Sequence, residues 1–273
     1  MENLEENKLE NNNVEKGNKS KKFNIKKPLL FTVALSPVSI VASLLVGIYG
    51  YGSYSEEVQQ QILEQSGNYS IFLLGASIQG LIIASLCAFF GYILAEKVGL
   101  IKTFRFEKNK FIKALIITII GGIIFSLDYW TFGNILPEIQ EAIKEGQTVI
   151  GFFASVLYGG IIEEILLRLF FMSLIAFILW KILFRKNAKE QIPYGVFIVA
   201  NVLAAVIFAA GHLPATINIF GSLTPLLIFR CFLLNGSFGI VFGWLYQKYG
   251  IQYAMLGHMG FHIISKVIWL ILV

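Results

Sequence analysis

Apolar residues run along this chain in seven long blocks, not in the alternation of a sheet or the single stripe of a surface helix. The blocks cover about 29–50, 70–95, 111–132, 149–183, 194–213, 222–246 and 252–272. Each is long enough to cross a bilayer as a helix, for which about 20 apolar residues suffice. Strands of a membrane barrel would instead alternate over about ten residues. The pattern therefore predicts an all-α polytopic transmembrane bundle of seven to eight spans. The count turns on the fourth block. As one helix its length is on the order of 50 Å, against a hydrocarbon core of about 30 Å. It is expected to tilt, to extend beyond the hydrocarbon, or to break into two pieces after Arg168.

Polar sequence separates the blocks and orients them. Residues 1–28, rich in Glu, Asn and Lys, predict a disordered tail that ends in the basic cluster Lys19, Lys21, Lys22, Lys26 and Lys27. The connection 51–69 carries Glu56, Glu57 and Glu64 without a basic residue, whereas 96–113 carries six, among them Lys102, Arg105, Lys108 and Lys110. Residues 133–148 are acidic on balance, and 181–193 carry Lys181, Arg185, Lys186 and Lys189. The positive-inside rule then places the N-terminus in the cytoplasm of a multi-pass cell-membrane protein. The organisation read from this is a cytoplasmic tail (1–28), N-terminal transmembrane helices (29–132) and a functional transmembrane core (149–273).

Composition agrees. The 273 residues are 56% hydrophobic and 14% charged, with a mean hydropathy of +0.70, whereas a soluble domain carries about 25% charged residues. The net charge of +5 sits mostly on loops of one side, so it reports topology and gives no sign of nucleic-acid binding. Cys87 and Cys231 fall inside blocks without CxxC spacing and read as buried small apolar residues.

Against this background a few polar residues stand out. Between Tyr158 and Phe171 lie Glu163, Glu164 and Arg168, and all three histidines of the chain, His212, His258 and His262, fall in apolar blocks. Placing such groups at membrane depth costs a few kcal/mol each, which marks them as functional candidates. On a helix Glu164 and Arg168 share a face, so they can pair, while Glu163 points about 100° away. One carboxylate can thus be held by Arg168 while its neighbour faces a cavity and takes a proton from water. His258 and His262 are also four apart and share a face, and Pro214 ends or kinks the helix that carries His212. Imidazoles so placed can bind a metal, polarise a carbonyl or stabilise an oxyanion. The depths conflict, however. His212 lies near the end of its block and His258 near the start of its own, a mismatch on the order of 10–15 Å at 1.5 Å per residue.

Glu163-Glu164-x-x-x-Arg168, Phe208-x-x-x-His212 and His258-x-x-x-His262, in this order over about 150–265, resemble the three motifs of the CPBP family. These are CAAX proteases and bacteriocin-processing enzymes, also called the Abi family. The resemblance implies an intramembrane endopeptidase in which Glu163 activates water with His212 as partner. Glu164 and Arg168 would support that site, and His258 and His262 would stabilise the oxyanion. It implies a membrane-associated peptide or protein substrate and leaves open zinc or no metal, since both mechanisms occur in the family. Two positions depart from the pattern. His262 stands where the family usually has Asn, which keeps a donor and favours zinc more than usual. Leu169 stands where Gly is frequent, which bears on helix packing.

Other protease designs fit less well. No His-Glu-x-x-His occurs, Asp128 is the sole aspartate, and Asn235-Gly-Ser237 lacks the Gly-x-Ser-Gly of a serine loop. The Lys-, Asn- and Ile-rich composition fits an AT-rich bacterium and turns the substrate expectation toward bacteriocin maturation or self-immunity and away from prenylated proteins. Two alternatives remain from the residues: a non-catalytic immunity or scaffold protein, and a proton-coupled transporter.

Overall fold

The computed structural model describes residues 24–273. The tail read as disordered lies mostly outside the described residues, along with Lys19, Lys21 and Lys22. Its last part does not: α1 (Lys26–Ser53) already includes Lys26, Lys27 and Pro28. A short amphipathic helix follows, α2 (Glu56–Ser66). The Ser55 side chain accepts from the Val58 N–H at its start, and Glu56 and Glu57 lie in its first turn. Next come α3 (Tyr69–Lys97) and α4 (Lys108–Ser126), the latter continued by a 3₁₀ turn and a one-turn piece at Phe132–Ile135. Then come α5 (Pro137–Glu145) and α6 (Val149–Leu183). The chain finishes with α7 (Tyr194–Gly211), α8 (Leu213–Phe220), α9 (Pro225–Tyr249) and α10 (Ile251–Leu272). Among the described residues seven helices are long and apolar enough to cross a membrane, so the fold is an all-α, multi-pass membrane bundle.

The fourth block does not break at Arg168. It is one continuous helix of 35 residues, and so the count is seven and not eight. Its middle is π-helical over Ser155–Glu163 and Ile165–Met172. Such wide turns are rare and concentrate at functional sites. Three helices went unread in the sequence, α2, α5 and α8, because each is a short piece inside a connection.

Large side chains face outward and small ones inward. On α3 the exposed Ile82, Leu86 and Phe90 face lipid, while Ser77, Ala84, Ala88, Gly91 and Ala95 are buried. Lipid is as apolar as a core, so close backbone approach, not burial of large side chains, drives helix association. Gly91 shows this most sharply. A Cβ there would lie 2.9 Å from the carbonyl carbon and oxygen of Leu169 on α6. The close approach beside Leu169 is thus made by a glycine on the opposing helix.

Helix α6 is central, packed against α1, α3, α7 and α10. Tyr253 at the start of α10 reaches Glu107 just ahead of α4, its hydroxyl accepting from the Glu107 N–H at 2.8 Å. These helix starts share one face of the bundle, here called the near face. At the far face, Arg230 Nε donates to Asp128 Oδ1 at 2.9 Å and Nη2 donates to Oδ2. Asp128 is buried and paired.

Candidate active site

Helix α6 supplies Glu163, Glu164 and Arg168 from its wide-turned middle. Glu164 and Arg168 are 0% and 1% exposed. Arg168 Nη1 lies 3.2 Å from Glu164 Oε1, and Nη2 donates to the Gly239 carbonyl of α9 at 3.1 Å. The Arg168–Glu164 approach is a charge contact without hydrogen-bond alignment, since neither Arg168 Nη1 nor Glu164 Oε2 has a hydrogen-bond partner among the described residues. The guanidinium also lies over the Phe208 ring, 4.6 Å from its centroid. Arg168 thereby ties α6 to both α7 and α9 through groups that a lysine would not match.

The two neighbouring carboxylates face different histidines. Glu164 Oε1 is 2.9 Å from His258 Nδ1, and Glu163 Oε1 is 3.9 Å from His212 Nε2. His258 is 3% exposed, whereas His212 and Glu163 retain 33% and 19%. The divergence of successive helical side chains separates a dry pair from a wet one.

The tautomers follow from the partners. His212 Nδ1 lies 2.8 Å from the Phe208 carbonyl oxygen, which can only accept, so Nδ1 carries a proton. Nε2 is then the nitrogen that faces Glu163, an acceptor whenever the ring carries a single proton. The Nδ1 of His258 likewise donates to the Glu164 carboxylate. His262 stacks on His258 with centroids 4.9 Å apart. A Cβ placed on Gly159 would lie 2.6 Å from His262 Nε2 and 3.7 Å from Glu163 Oε2. The absence of a side chain at Gly159 therefore lets the His262 imidazole approach Glu163.

Glu163, His212, His258 and His262 line one cavity of about 330 Å³. The conflict in depth is resolved by reach. Helix α7 ends at Gly211, with Pro214 opening α8, and the His212 ring turns back against Phe208, centroids 4.7 Å apart. Phe208 in turn lies 5.9 Å from the His258 ring, so one aromatic side chain spans the gap between the two imidazoles.

Sequence reasoning missed Phe242, which stacks on His258 at 4.3 Å, and the Gly239 carbonyl that holds Arg168. Their signal was faint: Phe238 and Phe242 are four apart on one helical face, as many core aromatics are. Ser237 is exposed and does not line the cavity, although Asn235 does.

A catalytic zinc takes three protein ligands. Among the described residues no group of three or more His, Cys, Asp or Glu side chains is placed to hold a metal ion. The residues as arranged do not offer three ligands to one ion.

The family model described as type II CAAX prenyl endopeptidase Rce1-like matches residues 145–264. No curated protein and no solved structure matches the chain. The matched stretch opens just before α6 and closes inside α10, so it takes in all six candidate side chains. Residues 145–264 are therefore an Rce1-like domain of the CPBP family, a family of CAAX-type intramembrane endopeptidases, set within a multi-pass membrane bundle.

Proposed function

We propose that the cavity between α6, α7 and α10 hydrolyses a peptide bond of a membrane-associated substrate, with Glu163 as general base toward water. The observation that carries this reading is the part-exposed Glu163 facing His212 Nε2 across 3.9 Å. One water can donate a proton to each of these acceptors and be left with its oxygen aimed at a carbonyl. Apo geometry of this kind tightens when substrate binds. Attack forms the C–O bond while Glu163 takes the water proton. Collapse of the tetrahedral intermediate breaks the C–N bond, and Glu163 returns that proton to the leaving amine.

His262 donates from its ring to the oxyanion, since the Nδ1 of its neighbour His258 is engaged by Glu164. Glu164 and Arg168 position His258 and the α6–α9 contact. The two basic connections lie on the near face, which supports a cytoplasmic N-terminus in the cell membrane. For substrate we favour a hydrophobic peptide of the bacteriocin class over a prenylated protein, on the composition.

The test uses purified full-length protein with two quenched fluorescent peptides, one ending in a farnesylated CAAX sequence and one unprenylated and hydrophobic. Glu163→Gln should abolish cleavage by at least 10³-fold while leaving the thermal midpoint in detergent unchanged. Full activity of that variant would overturn the assignment of the base. Protection of cells from a bacteriocin that survives the double variant Glu163→Gln/His212→Ala would favour the non-catalytic reading.

A further inference from the structure

A second and larger cavity, about 790 Å³, opens at the far face between the end of α1, α5 and the turn after α8. It shares one lining residue with the catalytic cavity, Tyr49. The ring is closely seated. A Cβ on Gly146 would lie 3.0 Å from its hydroxyl oxygen, and one on Gly151 would lie 2.7 Å from Cε2. These two glycines flank the start of α6 and leave the space that the ring fills. Tyr49 is thus a wall between two hollows.

Resting on the hydrolytic reading above, we propose that the far-face cavity holds part of the substrate peptide, that this part is basic, and that the Tyr49 ring is the specificity-determining partition between it and the cavity of Glu163. The basic character follows from charge complementarity. The charged side chains lining the cavity are Glu138, Glu141 and Glu145, all from α5, and none makes an ion pair among the described residues. Their spacing of three and four puts them on one stripe. The opposite stripe of α5, Ile139 and Ile143, is buried against Leu227 and Trp269, which fixes the direction in which the carboxylates face. The nearby cations are turned elsewhere. Lys144 lies over the Tyr129 ring, and Lys266 Nζ donates to the Gly146 carbonyl. Tyr51 and Tyr69 add aromatic walls with ring centroids 4.8 Å apart, which suits lysine and arginine side chains.

The test does not require hydrolysis. Full-length protein in detergent carries Cys87→Ala, Cys231→Ser and Ser155→Cys, the last a reporter in the catalytic cavity. A bulky, charged maleimide should label it at least tenfold faster with Tyr49→Ala than with Tyr49, whereas Tyr49→Phe should leave the rate unchanged. In a parallel set the buried native Cys87 is retained and should stay unlabelled, which shows that each variant is folded. A lysine-rich octapeptide at low salt should slow labelling of the Tyr49→Ala protein at least fivefold, and a glutamate-rich octapeptide should not. That protection should vanish when Glu138, Glu141 and Glu145 are all changed to Gln. Equal labelling with Tyr49 and Tyr49→Ala would overturn the partition, and equal protection by the two peptides would overturn the basic substrate. Adding Glu163→Gln should leave every labelling rate the same, so failure here is distinct from failure of the catalytic assignment.

Discussion

Replacing Gly159 with alanine separates catalytic geometry from stability. The new Cβ would sit 2.6 Å from His262 Nε2, whereas ordinary van der Waals contact begins at 3.4 Å, so the imidazole must retreat by about 1 Å, a displacement that can cost on the order of 10²-fold in rate. The clash is with the end of a side chain, not with backbone, so the helix can keep its place. Overpacking costs about 1–3 kcal/mol, and the gain in helix propensity returns about 0.5–1 kcal/mol. The expected result is a loss of about 10²-fold in kcat/KM with a thermal midpoint within a few degrees of the parent. Gly160→Ala is the contrast. Its Cβ would meet the backbone N and Cα of Met259 at 2.9 Å, so the α6–α10 approach itself must open and the protein should lose stability outright. Both variants are measured by peptide cleavage and by thermal unfolding in the same detergent. Undiminished kcat/KM in folded Gly159→Ala would refute the role given to His262.

Three further perturbations follow from the buried charges. Arg168→Met leaves Glu164 buried without its cation and should cost about 3–5 kcal/mol, read as a lower unfolding midpoint; adding Glu164→Gln should restore part of it. Arg168→Lys should also lose most activity, because an ammonium cannot both hold the Gly239 carbonyl and face Glu164 as the guanidinium does. Asp128→Asn, at the far face, should destabilise by a similar amount through the unpaired Arg230, yet leave the cleavage rate per folded molecule unchanged.

The spans were legible because lipid demands long apolar runs, and that demand is written residue by residue. The convergence of Glu163, His212, His258 and His262 was half legible. Spacing gave the shared face of His258 and His262 and the Glu164–Arg168 contact. It could not give the back-turned His212 ring or the bridging Phe208, because these depend on side-chain direction and not on helix register. The π turns of α6 leave no periodicity to read, since Ser155–Met172 is apolar nearly all round. The pairing of Asp128 with Arg230 joins residues 102 apart in the chain, and neither has a local signal for the other. Leu169 raised a packing question that only the opposing helix answers, through Gly91.

The central proposal is that Glu163 activates water beside His212 with no metal ion taking part. Elemental analysis of the purified protein, paired with cleavage after treatment with 1,10-phenanthroline, tests it most directly. The account predicts well under 0.1 equivalent of zinc per chain and unchanged activity in the chelator. Activity lost in the chelator and regained on adding zinc would contradict it.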